Sequence, residues 1–347
     1  MKKLACLVFI FVLMIPFVFA GGAKDKASGN KIVIYTSMYQ DIIDALQKDL
    51  SARFPAYNVE FVYGGTGSLR ARVTSELASG RLGCDMLLVA TSTYALEVKE
   101  KGILHPYKSP EASSLAFDYD PDGCWYPVRV SNMVLAYNPE KNARDSVPHS
   151  FYDFANDPSV KNAISMNNPL VSGTSMAAVT ALRDKYGLDY YKALGRQNVM
   201  IDSGAVALQK LESGEAKVAM ILEESILKKR QEENSKLEVI YPTDGVVMIP
   251  STIMTINDQW SANRNTKAAE AITDWFLSAE GQDAIVDGWM HSVRTDFPRI
   301  PYDSIPTKEI LANSMPVNWD FRESEKIQDD FEDYALSTRD INLNPNQ

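Results

Sequence analysis

Residues 31–63 read KIVIYTSMYQDIIDALQKDLSARFPAYNVEFVY, and this stretch predicts the fold class. The apolar run Lys31–Thr36 is typical of a buried strand, and Val59–Tyr63 predicts a second one. Between them, apolar residues recur at helical spacing from about Met38 to Phe54. A strand, a helix and a strand in this order predict a right-handed βαβ unit with parallel strands.

The same alternation continues along the chain in two blocks. Further buried strands are predicted at Met86–Ala90, Ala163–Met166 and Lys217–Leu222, each followed by a helical pattern. Two longer extended segments, Trp125–Tyr137 and Val247–Ile256, separate the blocks, and we interpret them as crossings between two α/β units.

Length and composition limit the possible functions. The chain has 347 residues, 45% of them apolar and 23% charged, which is typical of a globular protein with ample core. The formal net charge of −10 argues against binding to a nucleic-acid backbone, because phosphates repel an acidic surface. A bound anion would therefore need attraction from local groups.

The first residues have the features of a secretory leader. Lys2 and Lys3 precede an apolar run that ends at Ala20, before two glycines, so residues 1–20 are predicted to be a signal peptide, with an uncleaved anchor as the alternative. Export places the mature protein in the periplasm. Cys84 and Cys124 then remain, and a disulfide or two separate thiols are both compatible with the sequence.

Small polar residues and glycines follow the predicted strands, where helices begin. Helix starts offer unpaired N–H groups and a positive dipole end, and α/β sheets bind ligands at the carboxyl ends of strands. Helix capping alone also favours Ser and Thr at these positions. We expect the phosphate of a ligand to be bound by Ser37, Gly65, Thr66, Gly67, Ser92, Ser172, Gly173 and Thr174.

Two carboxylates at comparable positions suit another part of the ligand. Asp202 and Glu224 would accept hydrogen bonds from sugar hydroxyls or pair with an ammonium group. Arg129, in the first crossing, is a further candidate for anion contact, whereas Arg70 and Arg72 are expected on a solvated helix face. The three histidines are scattered, so we expect no metal site, no cofactor and no enzyme activity.

Several ordered segments resemble one family. They include GGTGSLRAR at 64–72, NPLVSGT at 168–174, YPTDG at 241–245 and LSAEGQ at 277–282. The chain resembles the type II periplasmic solute-binding proteins of ABC importers, in the ferric-binding-protein branch. The resemblance implies two α/β lobes joined by two hinge crossings, a ligand cleft between the lobes, and a membrane permease with its ATPase as partners.

The lobes implied by this resemblance have definite boundaries in the sequence. Residues 31–128 and 257–300 are predicted to form lobe 1, and residues 129–256 are predicted to form lobe 2. Residues 301–347, rich in Pro, Asp and Glu, are predicted to wrap over the surface. A soluble monomer is expected.

The resemblance also bears on the ligand. Ferric-binding members carry adjacent tyrosines where this chain has Glu223 and Glu224, and we interpret Tyr190 and Tyr191 as packing residues rather than substitutes. The pattern is closer to a hexose-phosphate-binding subgroup of the branch. That subgroup has a His beside its Asp, where this chain has Ile201.

We therefore expect a periplasmic binding protein that captures a phosphorylated small molecule, with a sugar phosphate as the first candidate. Ferric iron with a synergistic anion and an organophosphonate with an ammonium group are the alternatives within the same fold. A secreted phosphate-ester hydrolase would need a nucleophile or metal cluster that the sequence does not offer. Transport and presentation of the ligand to a membrane sensor are both compatible with the sequence.

Overall fold

The computed structural model describes residues 30–337. The predicted signal peptide and residues 338–347 lie outside this range. None of the helices described for residues 30–337 is long and apolar enough to cross a membrane.

The elements alternate much as the sequence predicts. The strands are β1 (Lys31–Thr36), β2 (Asn58–Tyr63), β3 (Met86–Ala90), β4 (Trp125–Tyr137), β5 (Ile164–Asn167), β6 (Met200–Asp202), β7 (Val218–Leu222), β8 (Glu238–Ile240), β9 (Val246–Thr255) and β10 (Ser314–Met315). The helices are α1 (Gln40–Arg53), α2 (Thr66–Ala78), α3 (Ser92–Glu100), α4 (Phe151–Asn156), α5 (Gly173–Tyr186), α6 (Leu188–Arg196), α7 (Gly204–Ser213), α8 (Glu223–Glu233), α9 (Thr266–Leu277), α10 (Ala279–Asp287), α11 (Thr307–Ala312) and α12 (Ser324–Phe331).

Two groups of parallel strands are joined through β4 and β9. The strand order is β2-β1-β3-β9-β4-β7-β5-β6, with β8 on β4 and β10 on β9. In the first group β1 pairs in parallel with β2 and β3, and in the second β5 pairs in parallel with β6 and β7. Strands β4 and β9 are antiparallel to each other, from Trp125 opposite Met254 to Met133 opposite Val247. These two strands form the crossings that the extended segments predict.

Each group of parallel strands has its own buried core. The first lobe packs side chains of β1, β3, α1 and α9, such as Ile34, Leu46 and Phe276. The second lobe packs β5, β7, α5 and α6. Tyr190 and Tyr191 are almost completely buried there, so they are packing residues, as predicted. The exact boundaries of the lobes remain a prediction, because β4 and β9 run through both.

The segment after residue 300 has more structure than a surface wrap predicts. Strand β10 adds to β9, and α12 buries Phe331 against Tyr191, with ring centroids 5.2 Å apart. The sequence did not predict the amphipathic helix α12, because most of its residues are polar or acidic and only a few apolar side chains anchor it. Cys84 is buried, Cys124 is half-buried, and both are free thiols in this structure.

A buried hydrogen-bond network lies behind the crossings, at the start of α8. Glu223 accepts hydrogen bonds from Asn132 Nδ2 at 2.7 Å and from Ser304 Oγ at 2.5 Å, and it pairs with His291 Nε2 at 3.0 Å. The Tyr241 hydroxyl also donates to this carboxylate. Burial alone would raise the pKa of Glu223, but the hydrogen bonds from His291, Asn132 and Ser304 hold it below its ordinary value.

We expect Glu223→Gln to lower the free energy of unfolding by about 2 kcal/mol at pH 7, because an amide cannot accept all of these bonds. A lowered pKa gives stability that is present above the ordinary value of 4.5 and is lost as pH falls through the folded value. Denaturant unfolding at pH 7 and near pH 3.5 measures the difference between variant and wild type, which is expected to shrink at the lower pH.

The matched control is Glu232→Gln in the same helix, where an exposed carboxylate lies 3.8 Å from Lys228. Its effect on the unfolding free energy is expected to stay below about 0.5 kcal/mol. A difference for Glu223→Gln that did not depend on pH would contradict this role for the carboxylate.

Candidate functional site

A cavity of about 460 Å³ lies between the lobes, at the carboxyl ends of the parallel strands. Each of the six strands in the two parallel groups contributes a residue at or just after its end. In chain order these are Ser37, Tyr63, Ala90, Asn167, Ser203 and Leu222. We call this cavity the cleft.

Five helices begin at the wall of the cleft, and three of them, α2, α5 and α7, have no acidic side chain in the first turn. Helix α2 starts after Gly65, α5 after Ser172 and α7 after Ser203, and all three preceding residues line the cavity. The first N–H groups of a helix have no acceptor within the helix, and its dipole favours a negative charge at this end. The three starts together therefore form a site suited to an oxyanion.

Two residues that line the cleft have hydroxyl groups with free hydrogen-bonding capacity. Within the described residues, the buried Thr66 Oγ1 has no hydrogen-bond partner. The oxygen of Ser37 accepts a bond from the backbone N–H of Ala90 at 3.0 Å, which leaves its proton to be donated. An unpaired buried hydroxyl is costly unless a ligand supplies its partner.

A buried arginine supplies positive charge at the cleft. Arg129, from the middle of β4, is only 4% exposed, and its Nη1 lies 3.9 Å from Glu224 Oε1. Its Nε has no partner in the part of the chain that the structure describes. Glu224, at the start of α8, accepts a hydrogen bond from Ser131 Oγ at 2.8 Å. Burial lowers the pKa of Arg129 and raises that of Glu224.

Tyr39 divides the cleft from the space outside it. Its ring is partly open to the cavity, and its hydroxyl would be 3.5 Å from a Cβ placed on Gly204 of the other lobe. Desolvation of this hydroxyl by burial, together with nearby Glu224 and Tyr63, raises the pKa of Tyr39 to about 12. The phenol is therefore a neutral hydrogen-bonding group at ordinary pH.

Most of the residues proposed from the sequence lie together at the cleft. The lining includes Ser37, Gly65, Thr66, Ser172, Gly173, Thr174 and Glu224. Their common position follows from the fold, because parallel strands end at one edge of a sheet.

Three proposed residues do not line the cleft in this structure, and their part in ligand binding stays a prediction. Asp202 is not among the cleft-lining residues, and its Oδ2 forms an ion pair with Lys210 Nζ at 2.9 Å. Thr91 has a φ of 86°, and Ser92, which follows this turn, lines a cavity behind the crossings. Gly67 lines a separate cavity on the far side of the contact between the lobes.

Other lining residues were not singled out from the sequence. Tyr39, Tyr63 and Asn167 lie at or near strand ends, and this position is the signal that could have identified them. Arg70 and Arg72 do not line the cleft; they pair with Glu97 and Glu76, each at 2.8 Å.

The lobes meet in a contact that requires glycine. A Cβ on Gly173 would lie 2.7 Å from Thr66 Oγ1, and a Cβ on Gly65 would lie 2.9 Å from the Val171 carbonyl oxygen. Both distances are shorter than real Cβ contacts. The structure is therefore a closed form, in which glycine allows α5 of one lobe to approach α2 of the other.

We expect Gly173→Ala to weaken ligand binding roughly tenfold or more, because the added methyl group opposes closure by about 1–3 kcal/mol. Small-angle X-ray scattering with saturating ligand is expected to give the Gly173→Ala variant a larger radius of gyration than the wild-type protein.

Gly204→Ala is the matched control, because it also lies at a helix start in the cleft, but its Cβ would meet only ordinary contacts at 3.5 and 3.8 Å. Equal increases in the radius of gyration of the two variants with ligand bound would contradict a role for Gly173 in closure.

This fold and cleft define a two-lobed solute-binding protein. The profile of the bacterial extracellular solute-binding protein family matches residues 84–324, and the chain belongs to that family. The family and the two-lobed fold predicted from the sequence are confirmed.

Known proteins of similar sequence and structure are consistent with this family assignment. The probable ABC transporter periplasmic-binding protein y4fP of Sinorhizobium fredii is 22% identical over 289 residues, covering 78% of this chain and 76% of the relative. The periplasmic binding protein AfuA of Actinobacillus pleuropneumoniae, solved with exogenous fructose-6-phosphate bound, has a TM-score of 0.75 at 20% identity, covering 89% of this chain and 99% of that one. Iron-bound HitA of Pseudomonas aeruginosa has a TM-score of 0.76 at 20% identity, covering 88% and 100%.

Proposed function

We propose that this protein is the periplasmic binding component of an ABC importer and that it captures a phosphorylated small molecule, with a sugar phosphate as the first candidate. One observation carries the proposal: three helix starts and the buried Arg129 converge on a single cleft. The y4fP relative is named as such a transporter component, and AfuA was solved with a sugar phosphate.

The phosphate would be bound by local groups despite the net charge of −10. Backbone N–H groups at the starts of α2 and α5, the hydroxyls of Ser37 and Thr66, and the Arg129 guanidinium are the donors. Hydrogen bonds to a charged group contribute about 1.5–3 kcal/mol each, so a few of them outweigh long-range repulsion that salt screens.

The remainder of the ligand would lie near Glu224. Glu224 could accept hydrogen bonds from hydroxyls, and Asn167 and Tyr39 offer further polar contacts at the same cavity. Asp202 is not part of this proposal, because Lys210 holds its carboxylate.

Ligand capture would proceed by hinge closure. The contact of Gly65 and Gly173 forms only when the lobes approach, so a ligand that touches both lobes would favour the closed form. The closed monomer would then deliver its ligand to a membrane permease powered by an ATPase. Presentation to a membrane sensor would use the same cleft.

Calorimetry with glucose-6-phosphate, inorganic phosphate and glucose tests the proposal. We expect glucose-6-phosphate to bind more tightly than phosphate and to raise the melting temperature, and glucose alone not to bind measurably. An aminoalkyl phosphonate tests the alternative in which Glu224 pairs with an ammonium group. Failure of every phosphorus compound to raise the melting temperature would overturn the proposal.

Ferric iron is the competing ligand, because HitA has the same fold and was solved with iron bound. The ferric-binding members that this chain resembles carry adjacent tyrosines where it has Glu223 and Glu224. Titration with ferric citrate is expected to give no tyrosinate–iron colour; a strong visible band would support iron instead.

Thr66→Val isolates one phosphate donor. Because Thr66 Oγ1 has no partner within the described chain, its loss is expected to leave the free protein as stable as the wild type or slightly more stable. Affinity for glucose-6-phosphate is expected to fall about tenfold, as measured by calorimetry.

Thr180→Val is the control, because the Thr180 hydroxyl donates within its helix to the Met176 carbonyl at 2.8 Å and does not line the cleft. Its affinity for glucose-6-phosphate should match the wild type. Unchanged affinity in Thr66→Val would remove Thr66 from the site.

A further inference from the structure

A second cavity of about 390 Å³ adjoins the cleft on its outer side. We call it the outer chamber. It shares five lining residues with the cleft, namely Tyr39, Tyr63, Gly204, Ala205 and Glu224. The two spaces therefore adjoin at these residues, and a ligand held in the cleft would reach the outer chamber by passing Tyr39.

The outer chamber is lined by aromatic and aliphatic side chains. Tyr63 is 50% exposed there, and Trp289, Ile42 and Leu208 complete the apolar surface. Partly exposed rings at the wall of a concave surface are typical of binding sites for flat, apolar faces.

The charged groups at the wall are already paired. Lys228 forms an ion pair with Asp41, and Lys229 Nζ lies 2.7 Å from Glu233 Oε2. Glu224 has Arg129 beside it. The outer chamber therefore favours an uncharged group, in contrast to the cleft.

Contacts between the lobes form the outer rim. Asp41 belongs to α1 of the first lobe and Lys228 to α8 of the second. Trp289, which follows α10, donates from Nε1 to Gln231 Oε1 of α8 at 2.7 Å. The outer chamber is thus complete only in the closed form, and a group inside it would contact both lobes.

We propose that the outer chamber is a second subsite that binds the far end of the ligand, an uncharged ring with a flat apolar face. Such a face is offered by an aromatic base or by the C–H side of a second sugar. This inference rests on the proposed function and deepens it: the ligand is a phosphate ester larger than a hexose phosphate.

Matched pairs of ligands test the proposal with the wild-type protein. Glucose-6-phosphate is compared with trehalose-6-phosphate, which adds a second sugar ring, and ribose-5-phosphate with adenosine monophosphate, which adds an aromatic base. We expect one extended ligand to bind about tenfold more tightly than its shorter partner, and the pair that shows the gain identifies the kind of ring.

Two variants then test whether the outer chamber is responsible for the gain in affinity. In Trp289→Ala the tenfold advantage of the extended ligand is expected to disappear while the shorter ligand keeps its affinity, because Trp289 lines only the outer chamber. Gln231→Ala removes the same hydrogen bond between the lobes but leaves the ring, so it should retain the advantage. Thermal melting of each variant without ligand confirms that it is folded.

Two negative results have different meanings. If short and extended phosphates bind equally, or if Trp289→Ala weakens both equally, the second subsite is overturned and the proposed function stands. If none of the four phosphates binds, the proposed function itself fails.

Discussion

The burial of one guanidinium group is the constraint on which the site depends. Arg129 and Glu224 are each 4% exposed and lie 3.9 Å apart, too far for a direct hydrogen bond. Removing such charges from water costs several kcal/mol per ion, and the attraction between them offsets this only with good geometry and additional hydrogen bonds. Arg129 Nε lacks a partner within the described residues and is closed to water, so an anion in the cleft would meet the charge of the guanidinium rather than this N–H group.

The fold places this arginine where the other proposed anion donors meet. Because β4 and β9 pass through both lobes, Arg129 lies between two groups of parallel strands, and the strand ends of both groups face it. The tight contact at Gly65 and Gly173 then joins α2 and α5 around the same space. Under the proposed function, closure and anion binding would therefore be coupled by geometry, and this coupling would let an acidic protein bind a negatively charged solute.

The sequence predicted the fold well, because its signals are local. The bounds of β1, β3 and β4 agree with the predicted strands, since each is a buried run between polar segments. Most of the cleft-lining residues could be predicted from the sequence because the start of a helix is also a local signal. The sequence could not show that Lys210 pairs with Asp202, that a strained Thr91 precedes Ser92, or that Asp41 meets Lys228 across 187 positions. The contact between Asp41 and Lys228 joins distant segments, and the outer chamber depends on such contacts.

The central claim is that the cleft holds a small organic phosphate. Native mass spectrometry of the protein, purified from its own compartment without added ligand or denaturant, tests it most directly. The account predicts one organophosphate per chain, released on unfolding. A ferric adduct, or a co-purified solute without phosphorus, would contradict it.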